Sequence, residues 1–232
     1  MPTFQEVKRS FSIVTGDRDW MAKLSFGAVL LLNPILLLAV LGNHTTLAWI
    51  TLGLNVASFW FPLGYTMEVL RRARRGTFAT EGLPSWGWKH WPVYFREGAV
   101  KFCIAFFTLI FPSVVWIFIS VMLLNWMSVG HLVAMVAPLV FFFTLPFCAI
   151  ACCRWLDTGD LWSSALDYRS NLTFYRLRWM EYSIATLFVI GLNTIGNSLV
   201  LTLPFILIFG LCLVDTWFGP IYADSAQTRI QA

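Results

Sequence analysis

The sequence predicts an all-α integral membrane protein: six transmembrane helices arranged as three helical hairpins, with interfacial amphipathic segments and both the N and C termini cytoplasmic. Three observations predict it. Of 232 residues, 58% are hydrophobic and only 12% are charged, whereas a soluble domain carries about 25% charged residues. The apolar residues gather in runs of about twenty, enough for a helix to cross a hydrocarbon core about 30 Å thick. With six spans, all 16 Lys and Arg residues fall on one side of these runs, and basic flanks mark the cytoplasmic side.

The elements follow in chain order within a single transmembrane domain, residues 1–232. The first span covers residues 24–42 and follows Lys8, Arg9, Arg18 and Lys23. The second covers 47–70 and contains Glu68. The third covers 99–124, with Lys101 near its start, and the fourth covers 132–153. Residues 182–214 then form 33 positions without a charge. As one helix they would be about 50 Å long, more than tilt absorbs. The polar, breaker-rich segment 193–197 is the place to turn, which gives a fifth span over 178–196 and a sixth over 199–222.

The basic residues test this count. Arg71, Arg72, Arg74, Arg75, Lys89, Arg96 and Lys101 lie between spans two and three. Arg154, Arg169, Arg176 and Arg178 lie between spans four and five, and Arg229 is in the tail. The opposite loops, near 43–46, 125–130 and 197, carry none. This asymmetry reads as a multi-pass membrane protein whose basic loops are cytoplasmic. Twelve Trp residues suit the two headgroup levels. The net charge of +4 belongs to loops beside spans and does not indicate a nucleic-acid partner. The expected partners are membrane lipids, including anionic headgroups on the cytoplasmic face, and other membrane protein subunits.

Each hairpin is preceded by an aromatic, amphipathic segment, at 4–11, 91–98 and 161–169. In the second, Trp91, Tyr94 and Phe95 share a helical face, Arg96 and Glu97 point elsewhere, and Pro92 suits a first helical turn. Asp19-Trp20-Met21 and Arg178-Trp179-Met180 precede spans one and five at matching places. Units that all start on one side are parallel repeats. The residues before span one do not read as a cleaved secretory signal. All five cysteines, Cys103, Cys148, Cys152, Cys153 and Cys212, fall in or beside apolar runs. They read as small packing residues, with lipidation of Cys152 or Cys153 as the alternative.

The stretch from Gly64 to Pro112 carries a further pattern: Gly64-Tyr65, Glu68, Arg71-Arg72-Ala73-Arg74-Arg75-Gly76, Leu83-Pro84-Ser85-Trp86, Phe95, Gly98 and Phe111-Pro112. Together with Asp19-Trp20 and Pro204, it resembles a family of prokaryotic multi-pass membrane proteins known as domain of unknown function 4013. Here Ser85-Trp86-Gly87-Trp88 stands where the family usually has an acidic residue. The resemblance implies a polytopic fold, and no substrate, cofactor or active residue.

Ionisable groups inside spans are costly and are the first candidates for function. Asp215 is one, either as a proton, cation or substrate site or as the structural partner of an arginine such as Arg72 or Arg154. Glu68 stands three and four residues before Arg71 and Arg72, the spacing of a local ion pair. Arg71, Arg72, Arg74 and Arg75 are candidate contacts for lipid headgroups or an acidic partner. Asn33, Asn55, Asn193 and Asn197 are positioned to join helices. Pro34, Pro62, Pro112, Pro138, Pro146 and Pro204 are positioned to bend them.

His44, His90 and His131 are too scattered to form a site. No HExxH, Walker loop, helix-opening GxGxxG or GxSxG is present. The expectation is therefore a non-enzyme with no catalytic or metal site: an accessory, assembly or scaffold subunit of a membrane complex. The alternative is a transporter or channel-like protein for a small solute, ion or lipid. A lipid-modifying enzyme would have to use Glu68, Asp157, Asp160 or Asp167, of which Asp157 and Asp160 read as a solvated turn.

Overall fold

The computed structural model describes residues 4–32, 45–126, 133–197 and 203–231, and every regular element among them is helical. Helices α1 (Phe4–Thr15) and α2 (Trp20–Leu32) open the chain, and α3 (Thr45–Arg75) and the short α4 (Phe78–Glu81) follow. A 3-10 turn at Trp88–His90 leads into α5 (Trp91–Ala105), which passes through a π turn at Phe106–Ile110 into α6 (Phe111–Trp126). Then come α7 (Val133–Thr158), α8 (Leu161–Leu166), α9 (Tyr168–Leu177), α10 (Trp179–Asn197) and α11 (Leu203–Gln231). Residues 33–44, 127–132 and 198–202, where the sequence places outer connections together with Asn33, Pro34, His44 and His131, lie outside the described residues.

Among the described residues, two helical stretches are long and apolar enough to cross a membrane: Trp88–Leu123, whose most apolar 18-residue window has a mean hydropathy of 2.5, and Pro204–Thr228, whose window has 1.7. Trp20–Leu31 and Trp179–Gly191 are shorter apolar helices.

Local chemistry explains where the helices stop and bend. After α3, Gly76 takes a φ of 72°, the left-handed conformation a glycine adopts without strain. Its N–H donates to the Ala73 carbonyl at 3.2 Å, and the Thr77 N–H donates to the Arg72 carbonyl at 3.1 Å, a Schellman ending. Arg72, Arg74 and Arg75 occupy the last turn, where cations complement the helix dipole. Pro92 sits in the first turn of α5 as expected. Pro112 supplies no N–H to the turn before it, and the helix widens into the π turn just ahead of it. There the Tyr168 hydroxyl donates to the Phe107 carbonyl at 2.7 Å.

Three sequence expectations are corrected. Residues 193–197 are the last residues of α10 and not themselves a turn, so the helix ends within one residue of the expected fifth span, and residues 198–202 lie outside the described residues. The segment 91–98 is not a separate interfacial piece but the first turns of a continuous helix. Within it, Glu97 faces inward. Tyr94, Glu97, Gly98, Lys101 and Ile104 are the buried positions of α5, a stripe at helical spacing that happens to contain two charges.

The core has two parts. One joins Met67 and Leu70 of α3, Cys148–Cys153 of α7, Phe174 of α9, Tyr182 of α10 and Val214, Phe218 and Tyr222 of α11. The other joins Val14, Leu24, Tyr65, Val69, Leu83, Tyr94 and the Ile208–Leu213 part of α11. Among the described residues α3, α5 and α11 run through both, α5 giving Ile104 to the first and Tyr94 to the second. Glycines let the helices meet at backbone distance. A Cβ on Gly98 would fall on the Trp60 carbonyl, and one on Gly64 on the Tyr94 carbonyl. A Cβ on Gly219 would stand 2.8 Å from the Arg74 nitrogen. Small residues at such crossings are how helices associate where apolar burial gives no advantage.

Replacing Gly98 by Ala forces α3 and α5 apart and should cost about 1–3 kcal/mol. Gly191→Ala, where a Cβ meets nothing within 4 Å, should be neutral or stabilising by up to about 1 kcal/mol. Unfolding of the two purified variants in mixed detergent micelles checks the contrast, and equal behaviour would remove the close crossing.

Candidate functional site

The polar groups stand in three tiers around α3 and α11, the first two against α5 and the last against α1 and α10. Deepest is a buried ion pair. Lys101 is 6% exposed and Asp215 is 3% exposed. The Lys101 Nζ donates to Asp215 Oδ2 at 2.6 Å and to Thr66 Oγ1 at 2.9 Å. The Thr66 hydroxyl in turn donates to the Leu63 carbonyl at 2.9 Å. Asp215 therefore pairs with Lys101, and not with Arg72 or Arg154. Arg154 is taken by Asn171 Oδ1 at 2.8 Å and Asp167 Oδ2 at 3.2 Å. Sequence reading had counted Lys101 among the cytoplasmic loop cations. Its helical spacing from Tyr94, Glu97 and Gly98 was the one signal that it turns inward.

The second tier lies near the end of α3. Glu68 binds Arg71 and, at 3.1 Å, Arg72, as its spacing implied. Arg71 also pairs with Glu97, and Arg72 reaches Glu81 Oε2 at 3.2 Å and donates to the Gly82 carbonyl at 3.0 Å. With Arg74, which pairs with Asp157, three of the four arginines expected to meet headgroups are held by carboxylates of their own chain. Glu97 Oε2 is buried without a hydrogen-bond partner, which leaves this network one acceptor in excess.

The loop that follows is fastened beside it. Asp17 Oδ2 accepts from Lys23 Nζ at 2.7 Å and from the Leu83 N–H at 2.9 Å. Burial pushes the Asp17 carboxyl up, but the hydrogen bonds from Lys23 and from the Asp19 and Leu83 N–H groups outweigh it and hold it below the usual carboxylate range. Trp86 donates from Nε1 to the Lys23 carbonyl at 2.8 Å and stacks on Tyr65 with ring centroids 4.4 Å apart. Tyr94 donates to the Ser85 carbonyl at 2.8 Å. The Leu83-Pro84-Ser85-Trp86 motif is thereby a clasp across α2, α3 and α5.

The outermost tier is a cleft of about 510 Å³ between α1, the end of α3, the start of α10 and the last turns of α11. Arg9, Arg74, Arg75 and Arg178 line it with Glu181 and Asp224, together with Ile13, Trp217 and Ile221. Arg74 pairs with Asp157, whose other oxygen accepts from the Tyr222 hydroxyl at 2.9 Å. Arg178 pairs with Glu181 at 2.6 Å and Asp224 at 3.6 Å.

Two further carboxylates cap helices. Asp160 accepts from the Trp162 and Ser163 N–H groups at 3.0 and 3.3 Å, and Asp167 accepts from Ser170 N–H at 3.0 Å. Both are used as N-caps. Hydrogen bonds from Ser170, reinforced by Arg154, hold the Asp167 carboxyl below its ordinary range despite a small opposing effect of burial. Asp157 is held by Arg74 and Tyr222 and is not simply solvated. Cys152 and Cys153 are fully buried, which corrects the lipidation alternative, because an acyl donor cannot reach them in this fold. Among the described residues, no group of three or more His, Cys, Asp or Glu side chains is placed to hold a metal ion.

Neutralising one member of the buried pair strands the other. Lys101→Met or Asp215→Leu alone should destabilise by about 3–5 kcal/mol, whereas the double variant should recover most of that loss. A double-mutant cycle of micellar unfolding checks it, and additive losses would mean that the two charges do not act as a pair.

Compared with known proteins, the chain matches no family model, no curated protein and no solved structure.

Proposed function

We propose that this chain is a six-span protein of a prokaryotic cytoplasmic membrane, with both termini cytoplasmic, that serves without catalysis as an accessory, assembly or scaffold subunit. Kinship with the family of domain of unknown function 4013 is part of the same reading. The observation that carries it is the continuous helix Trp88–Leu123. Only 17% of its most apolar window is buried by its own chain. Phe111, Val114, Trp116, Phe118 and Met122 of α6 are all more than half exposed. A patch of that kind marks a membrane or protein contact, and aromatic side chains are the common anchors of such contacts. The charged groups support the same reading, since most of them are spent on ion pairs and caps inside the chain.

Solubilisation from native membranes in mild detergent should yield the protein with other membrane proteins in fixed stoichiometry. The association should be lost in a Trp116→Ala, Phe118→Ala variant that still folds. A lone species in native membranes would overturn the proposal.

The buried Lys101–Asp215 pair favours a second reading, a transporter or channel-like protein for a small solute or ion, because ionisable groups inside spans commonly carry such traffic. Liposomes containing the purified chain would then show solute flux that the charge-free Lys101→Met, Asp215→Leu variant loses while staying folded. Flux no greater than in empty liposomes would sink this reading.

A further inference from the structure

We infer that the cleft between α1, α3, α10 and α11 is a binding site for the phosphate-bearing headgroup of an anionic phospholipid on the cytoplasmic face. The inference rests on the membrane reading above, and it adds a site and a ligand class. Four cations line the cleft, and they are not equivalent. Arg74 is held by Asp157, and Arg178 is held by Glu181 and Asp224. Arg9 and Arg75 are exposed and make no ion pair among the described residues. Counting the lining residues alone, four arginines face two carboxylates, so the cleft carries a net charge of +2. Two uncommitted guanidiniums offer planar, multidentate donors, the geometry that suits phosphate oxygens.

The source of the phosphate follows from where the cleft lies. Its apolar lining residues Phe78, Trp217 and Ile221 are each less than 10% exposed and already packed by the protein, so the cations are the groups open to a ligand. The position agrees with the charge asymmetry of the sequence, since Arg9, Arg75 and Arg178 all belong to segments assigned to the cytoplasmic side, where anionic lipids attract basic residues.

The test uses the full chain in nanodiscs of phosphatidylcholine doped with brominated phosphatidylglycerol, read by quenching of tryptophan fluorescence. Wild type should enrich the anionic lipid over brominated phosphatidylcholine. The Arg9→Gln, Arg75→Gln variant should lose at least about tenfold in apparent affinity, as removal of two interfacial cations implies. The Arg9→Lys, Arg75→Lys variant should retain most of it. Both positions are exposed, and an unchanged unfolding midpoint confirms that the Gln variant folds.

Sodium phosphate matched in ionic strength to sodium chloride separates the two sources of the anion. No displacement beyond the chloride control supports a lipid site, and full displacement overturns it in favour of a free-phosphate site. Equal quenching by both lipids, or an unchanged affinity in the Gln variant, also overturns it. A chain that stays soluble without detergent fails the membrane reading instead, so the two failures are distinguishable.

Discussion

One ammonium and one carboxylate, shut away from solvent between α5 and α11, set the register of the bundle. Lys101 and Asp215 are each under 10% exposed and meet at 2.6 Å. Left unpaired, either charge would carry a desolvation cost of several kcal/mol. α5 can therefore seat only where position 101 faces position 215 and Thr66. Rotating α5 by one residue would turn its buried stripe by about 100° and lift Lys101 out of the contact. The seat that satisfies the pair also lays Gly98 against the Trp60 carbonyl and aims Glu97 at Arg71. Such a pair adds little net stability over an apolar substitute. What it supplies is discrimination against other registers, a role best attested for buried polar groups that fix helix alignment.

The arginine run acts as a hub and not as a uniform basic patch. Successive helical residues point about 100° apart, so neighbours along the run address different partners. Arg71 turns to Glu97 on α5, and Arg72 turns back to Glu68 and out to Glu81. Arg74 crosses to Asp157 on α7 and lies over the Tyr222 ring of α11 at 5.9 Å. Arg75 is left facing solvent. The Schellman turn at Gly76 ends the helix at this point, before the run can continue around the cylinder. Because the last turn of α3 reaches α5, α7 and α11, the end of this one helix ties together both halves of the core.

How much of this was legible in the sequence depends on how local the interaction is. Glu68 with Arg71 and Arg72, Pro92 in a first turn and the helical character of every described element all follow from spacing within a few residues. Lys101 with Asp215 joins positions 114 apart, and no periodicity marks which distant charge a buried one will meet. Glu97 was misplaced because charge was taken as a sign of the outward face, although its spacing from Tyr94 and Lys101 put it on the inner stripe. The segment 193–197 was expected to turn because Asn and Gly are common breakers, but it is helical to Asn197, and such propensities are a weak prior. The Leu-Pro-Ser-Trp motif was visible as a pattern. Its closure onto Lys23, Tyr65 and Tyr94 was not, since a motif carries its own spacing and not the surface it lands on.

Burial and hydropathy run in opposite orders in the two longest apolar stretches, and this inversion has a physical cause. The most apolar window of Trp88–Leu123 has the higher mean hydropathy, 2.5, yet only 17% of it is buried, while that of Pro204–Thr228, at 1.7, is 72% buried. In water the ordering would reverse, because burying the greasier helix releases more free energy. In an apolar solvent that drive vanishes, and helices come together through small residues, hydrogen bonds and charge pairs. α11 has those features: Gly210, Cys212, Asp215, Thr216 and Gly219 all lie on buried positions. α6 has few of them over its exposed length. The helix that joins its own bundle is thus the one equipped with specific contacts. The helix left outside is the one whose surface an acyl chain or an apolar partner can cover as well as the bundle can.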